Sequence, residues 1–504
     1  MSSRLKSRRL PGAPASKPVL GLVTLLAAGC LEVGPDYVPP EPPLNSGWVS
    51  GGTEPVQVEP ESDPGAWWSS FGDPTLHRLV DTAYRRNPSL RAAGMRVLEA
   101  QAQRGIAFGD LFPQTQEATG AYRETRYSAR AANQVPGADR TIDDWQVGLD
   151  AAWEIDLWGG FRRAVEAADA GWLAAQATRD DVLVTLVGEV AANYIQLRTL
   201  EERLRVAQEN VEIQSKGYEI ADARYRGGAV TALDASQSAS LLADTRALIP
   251  ALEASIRQSK TNLSILLGLP PSDLASELGG PAPIPRAPER IAVGLPAELL
   301  RRRPDVRAAE RNLAAQSAQI GVATAYLYPQ FSLTGQLGLE AEHVADLGDG
   351  AAFEHFGGPS VRWAILNYGR ISSNVRVQDA RFQALLADYE SVVLRAQGEV
   401  ENAMAGLDGS RRRVADLEQS EAAARRAVQL ASLQYQEGAV DFTRVLDSQQ
   451  ALVGVQDRLA TSKGDVALAV TALYKALGGG LTEVPIAASG DGEGRGAEQG
   501  GPAS

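Results

Sequence analysis

The chain has 504 residues, with 49 lysines and arginines against 62 acids, three histidines and one cysteine. The acidic balance argues against a nucleic-acid partner, and a lone cysteine excludes internal disulfides and cysteine-based metal centres. No apolar run approaches the roughly 20 residues that a transmembrane helix needs, so a membrane role for the mature chain must come from a β-barrel or a lipid.

Residues 1–29 read as a targeting segment. Arg4, Lys6, Arg8, Arg9 and Lys17 make a basic region, Val19 to Ala28 an apolar one, and Leu26-Ala27-Ala28-Gly29-Cys30 closes it. The cysteine follows a small residue at the end of the apolar run, the pattern of a bacterial lipoprotein signal cut before Cys30. Ala27 stands where leucine is commonest in that pattern, with Leu26 one place earlier. Lipid on the Cys30 thiol would anchor the chain, each buried CH₂ contributing about 0.8 kcal/mol. Residues 30–65 follow as a proline-rich tether.

Structure is expected from Ala66. Asp73 is placed to cap a helix whose first position is Pro74, and the helical pattern runs from Thr75 to about Asp110 with a kink or break at Pro88. The pattern then drops from the helical period to a period of two. Trp145, Val147, Leu149, Ala151 and Trp153 alternate with polar or small residues, as do Phe331, Leu333, Leu337 and Leu339, and then Val361, Trp363 and Ile365. A less regular strand covers Thr115–Tyr127. Strands of about ten residues, apolar outward and polar inward, are the pattern of a membrane barrel. Four strands are too few for one, since at least about eight are needed, so the barrel must be shared between chains.

Two long rods follow the hairpins. An apolar or aromatic residue returns every seventh position at Leu183, Val190, Leu197, Leu204, Val211, Tyr218 and Tyr225, and again at Val393, Val400, Leu407, Val414, Val428 and Tyr435, missing only at Glu421. A strict heptad winds helices into a left-handed supercoil. Gly159 to Gly227 and Gly369 to Gly438 bracket proline-free stretches, each allowing a helix of about 67 residues, roughly 100 Å long.

The two rods belong to an internal duplication. Pro88-Ser-Leu-Arg-Ala-Ala93 matches Pro304-Asp-Val-Arg-Ala-Ala309, Phe112-Pro113-Gln114 matches Tyr328-Pro329-Gln330, and Trp153-Glu-Ile155 matches Trp363-Ala-Ile365. Repeat 1 spans 66–280 and repeat 2 spans 297–480, joined by a Gly/Pro-rich linker, 281–296. Each has the order short helix, hairpin, long helix, turn, short helix, and the two short helices stacked end to end match the long one in length. The Gly/Ala/Glu-rich tail, 481–504, reads as disordered from composition.

The stretches Val33-Gly34-Pro35-Asp36-Tyr37, Trp67-Trp68 with Phe71-Gly72-Asp73-Pro74, Trp153-Glu-Ile-Asp-Leu-Trp-Gly159, Arg302-Arg-Pro-Asp-Val-Arg-Ala-Ala-Glu310, Ile320-Gly-Val-Ala323 and Leu473-Tyr-Lys-Ala-Leu-Gly-Gly-Gly480 occur in order along the chain. Together they resemble the outer-membrane lipoprotein subunits of resistance-nodulation-division efflux pumps, the TolC-like OprM/NodT branch. The resemblance implies an α+β fold in which a homotrimer shares a transmembrane β-barrel and a long-helix α-barrel, twelve strands and twelve helices in all. It implies a periplasmic adaptor and an inner-membrane proton-driven transporter as partners, contact with outer-membrane lipid, no cofactor beyond the lipid on Cys30, and no catalysis. It also implies an equatorial region built from the linker and the segments beyond Gly478.

By the same resemblance the helix turns opposite the strands, Gly227, Gly228, Ala229 and Val230 with Gly438, Ala439 and Val440, receive the adaptor and close the periplasmic mouth. Asp447 falls at the position of a gate carboxylate; three symmetry copies would make an acidic ring that favours cations. Relatives often carry arginine three residues after this aspartate, whereas this chain has Gln450 there and Arg444 one turn before. Asp234 and Asp441 read instead as helix caps, and Tyr225 and Tyr435 as coiled-coil packing. No nucleophile–base pair, phosphate loop or metal-ligand spacing stands out. The alternatives are the same duct serving protein secretion, and a lipid-anchored coiled-coil scaffold without a pore.

Overall fold

The computed structural model describes residues 32–42, 44–45, 47–49, 64–130, 137, 139–289, 291 and 302–479. The signal segment, Cys30, residues 50–63 of the tether, part of the linker and the tail from 480 onward lie outside the described residues. After a short 3-10 turn the elements are α1 (Pro74–Arg86), α2 (Pro88–Gly109), β1 (Thr115–Arg126), β2 (Thr141–Ile155), α3 (Gly160–Arg226), α4 (Ala232–Leu266), α5 (Pro304–Ala325), β3 (Gln330–Ala341), β4 (Phe353–Arg362), α6 (Arg370–Gln436) and α7 (Phe442–Ala476). Both long helices, α3 and α6, have 67 residues and lie within the glycine brackets. Asp73 caps α1 by accepting from Thr75 N and Leu76 N, with Pro74 at the first helical position. The break expected at Pro88 falls at Asn87, whose carboxamide oxygen accepts from Leu90 N (3.0 Å) and so caps α2.

The described residues divide into two compact units, one drawn from those of 32–41, 96–175 and 308–389, the other from those of 42–95, 176–307 and 390–479. Each takes material from both repeats. The reason is visible in the first unit, where β2 of repeat 1 pairs with β3 of repeat 2, so the duplicated elements bond to each other across the repeat boundary. That sheet is antiparallel throughout, in the order β1-β2-β3-β4.

The second unit holds the main hydrophobic core. Leu76, Leu79 and Val80 of α1 pack with Val190, Tyr194 and Leu197 of α3, Leu263 of α4, and Val470 and Leu473 of α7. Trp67 stacks on Tyr474 with centroids 5.1 Å apart, so two motifs some 400 residues apart in sequence meet in one contact. The heptad beat is fully buried at Val190, Leu197, Val393 and Val400, and only half-buried at Val211, Tyr218, Val414 and Val428. Glu421, where the beat fails, pairs with Arg425 and accepts from Gln456 Nε2 at 3.4 Å. A bidentate bond from Arg203 to Asp457 (2.7 and 3.1 Å) ties α3 to α7.

In both repeats the second short helix ends against the start of the first, but in repeat 1 the junction falls at Asn87, so α2 alone and not the whole stretch from Thr75 meets α4. Asn87 Nδ2 donates to the Leu266 carbonyl at the end of α4 (2.9 Å), and Arg303 Nη1 donates to the Ala476 carbonyl at the end of α7 (2.7 Å). These bonds satisfy carbonyls that a helix end leaves without partners. Gly268 just beyond α4 has φ 68°, and a Cβ there would lie 2.4 Å from the Arg86 carbonyl oxygen, so glycine is required by the closeness of the two ends.

Arg198 on α3 is wholly buried. Its guanidinium donates to Glu201 (2.7 Å) and to the Gly280 and Leu278 carbonyls (2.7 and 3.1 Å), and lies over the Tyr194 ring. Tyr194 in turn donates to Asp73 (2.7 Å), and burial pushes its phenol up to about 12. One arginine thus fixes the start of the linker. Truncation leaves the half-buried Glu201 and the buried Leu278 carbonyl without their donor, so Arg198→Ala is expected to destabilise the fold by about 3 kcal/mol, measured by denaturant unfolding in detergent.

Candidate functional site

The sheet has one apolar and one polar face, set by register. Across β2–β3 the pairs Val147↔Leu339, Leu149↔Leu337 and Trp153↔Leu333 share a side, while Gln146↔Glu340, Asp150↔Gln336 and Glu154↔Ser332 share the other. Phe331↔Val361 and Ser332↔Ser360 carry the same division into β4. Val147, Leu149, Leu333, Leu337 and Val361 are exposed, whereas Gln146, Asp150 and Gln336 are half-covered. This inverts the order of a water-soluble hairpin, and an apolar exposed face is what lipid requires. Trp145, Trp153, Phe331 and Leu339 on the same side are half-buried.

One strand differs from expectation. β4 runs from Phe353 to Arg362, so of Val361, Trp363 and Ile365 only Val361 is a strand residue. The ladder stops at Gln330↔Arg362 because β3 begins at Gln330 and offers no further partner. Trp363 and Ile365 lie in the connection to α6, still exposed. The first part of β4, Phe353-Glu-His-Phe-Gly-Gly-Pro359, has no apolar alternation in its sequence; its pairing to β3 is what makes it a strand.

The helix turns are built alike. Ala229 N donates to the Arg224 carbonyl and Gly228 N to Tyr225, with Gly228 at φ 72°; Ala439 N donates to Gln434 and Gly438 N to Tyr435, with Gly438 at φ 75°. Each is a Schellman motif with glycine in the left-handed position. Gly227, Gly228, Ala229, Gly438 and Ala439 are exposed, and Val230 and Val440 half-covered. A small core of Ala221, Ala431, Phe442, Val445 and Leu446 lies behind them, with Tyr435 packed on Phe442 at 5.0 Å and Arg224 over the Tyr435 ring. Tyr435 is therefore a packing residue, while Tyr225 is exposed.

Thr231 and Asp234 form the expected capping box, Thr231 N donating to Asp234 at 3.0 Å. Asp441 occupies the cap position of α7 in extended conformation, but its side chain makes no capping bond; its carbonyl accepts from Arg444 N instead. Arg444, Asp447 and Gln450 stand on the exposed side of α7, opposite Val445 and Leu446. Among the described residues neither Arg444 nor Asp447 has an ion-pair partner, and neither side chain is fixed by a hydrogen bond.

A third feature joins two motifs that the sequence left separate. Val33 N donates to the Trp158 carbonyl (3.0 Å), and Gly34 lies so close to Gly321 that a Cβ on Gly34 would come to 2.4 Å from the Gly321 Cα. The buried Arg163, one turn into α3, donates to Asp36 (2.7 Å), Glu166 (2.7 Å) and the Val33 carbonyl (3.3 Å). Sequence reasoning passed over Arg163; its only signal was the pair of acids, Glu32 and Asp36, flanking Gly34. The segment that follows Cys30 is thereby held on the starts of α3 and the end of α5.

This combination of long paired helices with an apolar-out sheet defines an outer-membrane channel subunit. The sequence matches the outer membrane efflux protein family over residues 79–269 and 295–479. It is 34% identical to the pyoverdine export outer membrane protein OpmQ of Pseudomonas putida over 91% of this chain and 96% of that one, and 29% identical to nodulation protein T of Rhizobium leguminosarum over 93% and 97%. Among solved structures, the outer-membrane channel OprN superposes with a TM-score of 0.81 at 34% identity, covering 89% of this chain and 99% of that one. The chain belongs to the outer membrane efflux protein family. It is an outer-membrane exit duct for efflux.

The seating of the N-terminal segment is open to a direct check. A Cβ on Gly321 would lie 2.8 Å from Arg163 Cγ and 2.9 Å from the Val33 carbonyl oxygen. Gly321→Ala is expected to loosen residues 32–37 by about 1–3 kcal/mol, seen as hydrogen exchange at the Val33 amide about tenfold faster or more.

Proposed function

We propose that three copies of this chain assemble into a lipid-anchored duct that carries small molecules outward without chemistry of its own. The observation that carries the reading is the inverted sheet: exposed leucines and valines on one face, carboxylates and amides on the other, and two edge strands, β1 and β4, each with its outer edge unpaired among the described residues. In hydrocarbon an open sheet edge is untenable, since each unbonded backbone group costs several kcal/mol. Twelve strands from three chains close the edges around a polar lumen, and the long helices continue the tunnel into the periplasm. A diacylglyceryl group on Cys30 holds the chain at the membrane, and the seating of Val33 to Asp36 supports an anchor fixed close to the protein body.

The glycine turns at Gly227–Val230 and Gly438–Val440 receive a periplasmic adaptor, which links the duct to a proton-driven inner-membrane transporter. Their exposure and duplicated geometry support this role. Three copies of Asp447 form the gate ring, with Arg444 and Gln450 beside it. With no fixed partner among the described residues, these side chains can pair across copies when the tip closes. The relative from Pseudomonas putida is named for pyoverdine export, which favours small-molecule efflux over protein secretion.

The test is single-channel conductance in a planar bilayer, wild type beside Asp447→Ala. A small cation-selective conductance is expected, with selectivity falling severalfold or conductance rising in the variant. An unselective pore that the substitution leaves unchanged would keep the duct and move its gate elsewhere. No conductance from the assembled protein, even with adaptor added, would favour the scaffold.

A further inference from the structure

The internal duplication specifies a contact between copies. In repeat 1 the connection from β2 to α3 docks on the start of β3: Trp158 stacks on Tyr328 with centroids 4.7 Å apart and donates its indole N–H to the Pro329 carbonyl at 2.6 Å. By the duplication, the counterpart of Trp158 is Tyr368 in repeat 2, and the counterparts of Tyr328 and Pro329 are Phe112 and Pro113 in repeat 1. The equivalence holds in the structure. Trp153 donates to the Leu111 carbonyl (3.2 Å) just as Trp363 donates to Leu327 (3.1 Å), and Arg163 N bonds the Gly159 carbonyl (2.8 Å) just as Ser373 N bonds Gly369 (2.9 Å).

Among the described residues Tyr368 has nothing to dock on. Its residue is 98% exposed, and Phe112 is 54% exposed. Tyr368 also takes a left-handed backbone conformation, φ 49°, which Trp158 does not. For a bulky side chain this is strained and persists where surrounding contacts over-determine it. β3 lies beside β2 where the two hairpins join, and β4 and β1 are the free edges, so the β1 that completes the pattern for β4 belongs to another copy.

We propose that Tyr368 of one copy packs on Phe112 of the next, at the seam where β4 meets the neighbouring β1, as the counterpart of the Trp158–Tyr328 contact inside the chain. This rests on the trimeric reading above and deepens it by naming the contact that closes the seam. Offset aromatic pairs stabilise an interface beyond their area burial, and a trimer would repeat this one at every seam.

The experiment uses the full chain in detergent, with Phe112→Cys and Tyr368→Cys combined and a short bismaleimide. Covalent dimers and trimers are expected on a denaturing gel from the double variant, and none from either single variant, which also controls for Cys30. Trp158→Cys with Tyr328→Cys calibrates the reagent, since that pair should close within one chain. Closure of the calibrating pair with no covalent oligomer from Phe112→Cys/Tyr368→Cys, in protein of trimeric native mass, would overturn the contact and leave the trimer standing. A monomeric native mass for the wild type would overturn both. A second readout needs no cysteine: Tyr368→Trp restores the indole of repeat 1 and should raise the temperature at which the oligomer dissociates, while Tyr368→Ala should lower it. Identical temperatures for all three would also count against the contact.

Discussion

Everything in the membrane half of this protein follows from the need to bond every backbone amide and carbonyl where no water is available. Four antiparallel strands satisfy that need at three seams, β1–β2, β2–β3 and β3–β4, and leave two edges. A water-soluble protein blunts such edges with charge or a covering helix. Here the exposed face beside them is apolar, so solvation by water is not the remedy. Pairing with further copies, as proposed above, would meet that need, and the family's function as an outer-membrane efflux duct fits it.

Duplication supplies most of the geometry twice, and the differences between the copies are informative. At the junction of the short helices, Asn87 bonds the end of α4 and Arg303 the end of α7, two chemistries for the same orphan carbonyl. Arg303 does more, since it also pairs with Asp305 and Glu399 (2.8 and 2.7 Å). The contrast between Trp158, seated inside the chain, and Tyr368, seated on none of the described residues, has the same origin. In the proposed assembly, the repeat junction made within the chain is complete by itself, and the one made between copies is completed only by assembly.

Buried arginines mark the places that must not move. Arg163 holds the N-terminal segment and Arg198 the start of the linker, each with several acceptors around one guanidinium. Five donors in a planar fork suit this cross-linking of separate segments. Arg444 and Asp447 are the opposite case: exposed, and with no ion-pair partner among the described residues. In the gate proposed above, a side chain that must exchange partners during opening would gain nothing from a fixed one.

The sequence by itself determined the long helices, the turns, the caps at Asp73 and Asp234, the two central strands and the duplication. Those features are local: glycine and proline punctuate the chain, and heptad or two-residue periods report which side of an element is apolar. It misjudged β4, because Phe353 to Pro359 carries no period of its own and becomes a strand only by pairing with β3. It read a side-chain cap at Asp441 where the structure uses the position but not the carboxylate. Tertiary structure alone decided that Gly34 meets Gly321, that Arg163 receives Asp36, and that Trp67 stacks on Tyr474. Each joins residues more than a hundred positions apart, and no local pattern records a partner that only the packing of distant segments brings within reach.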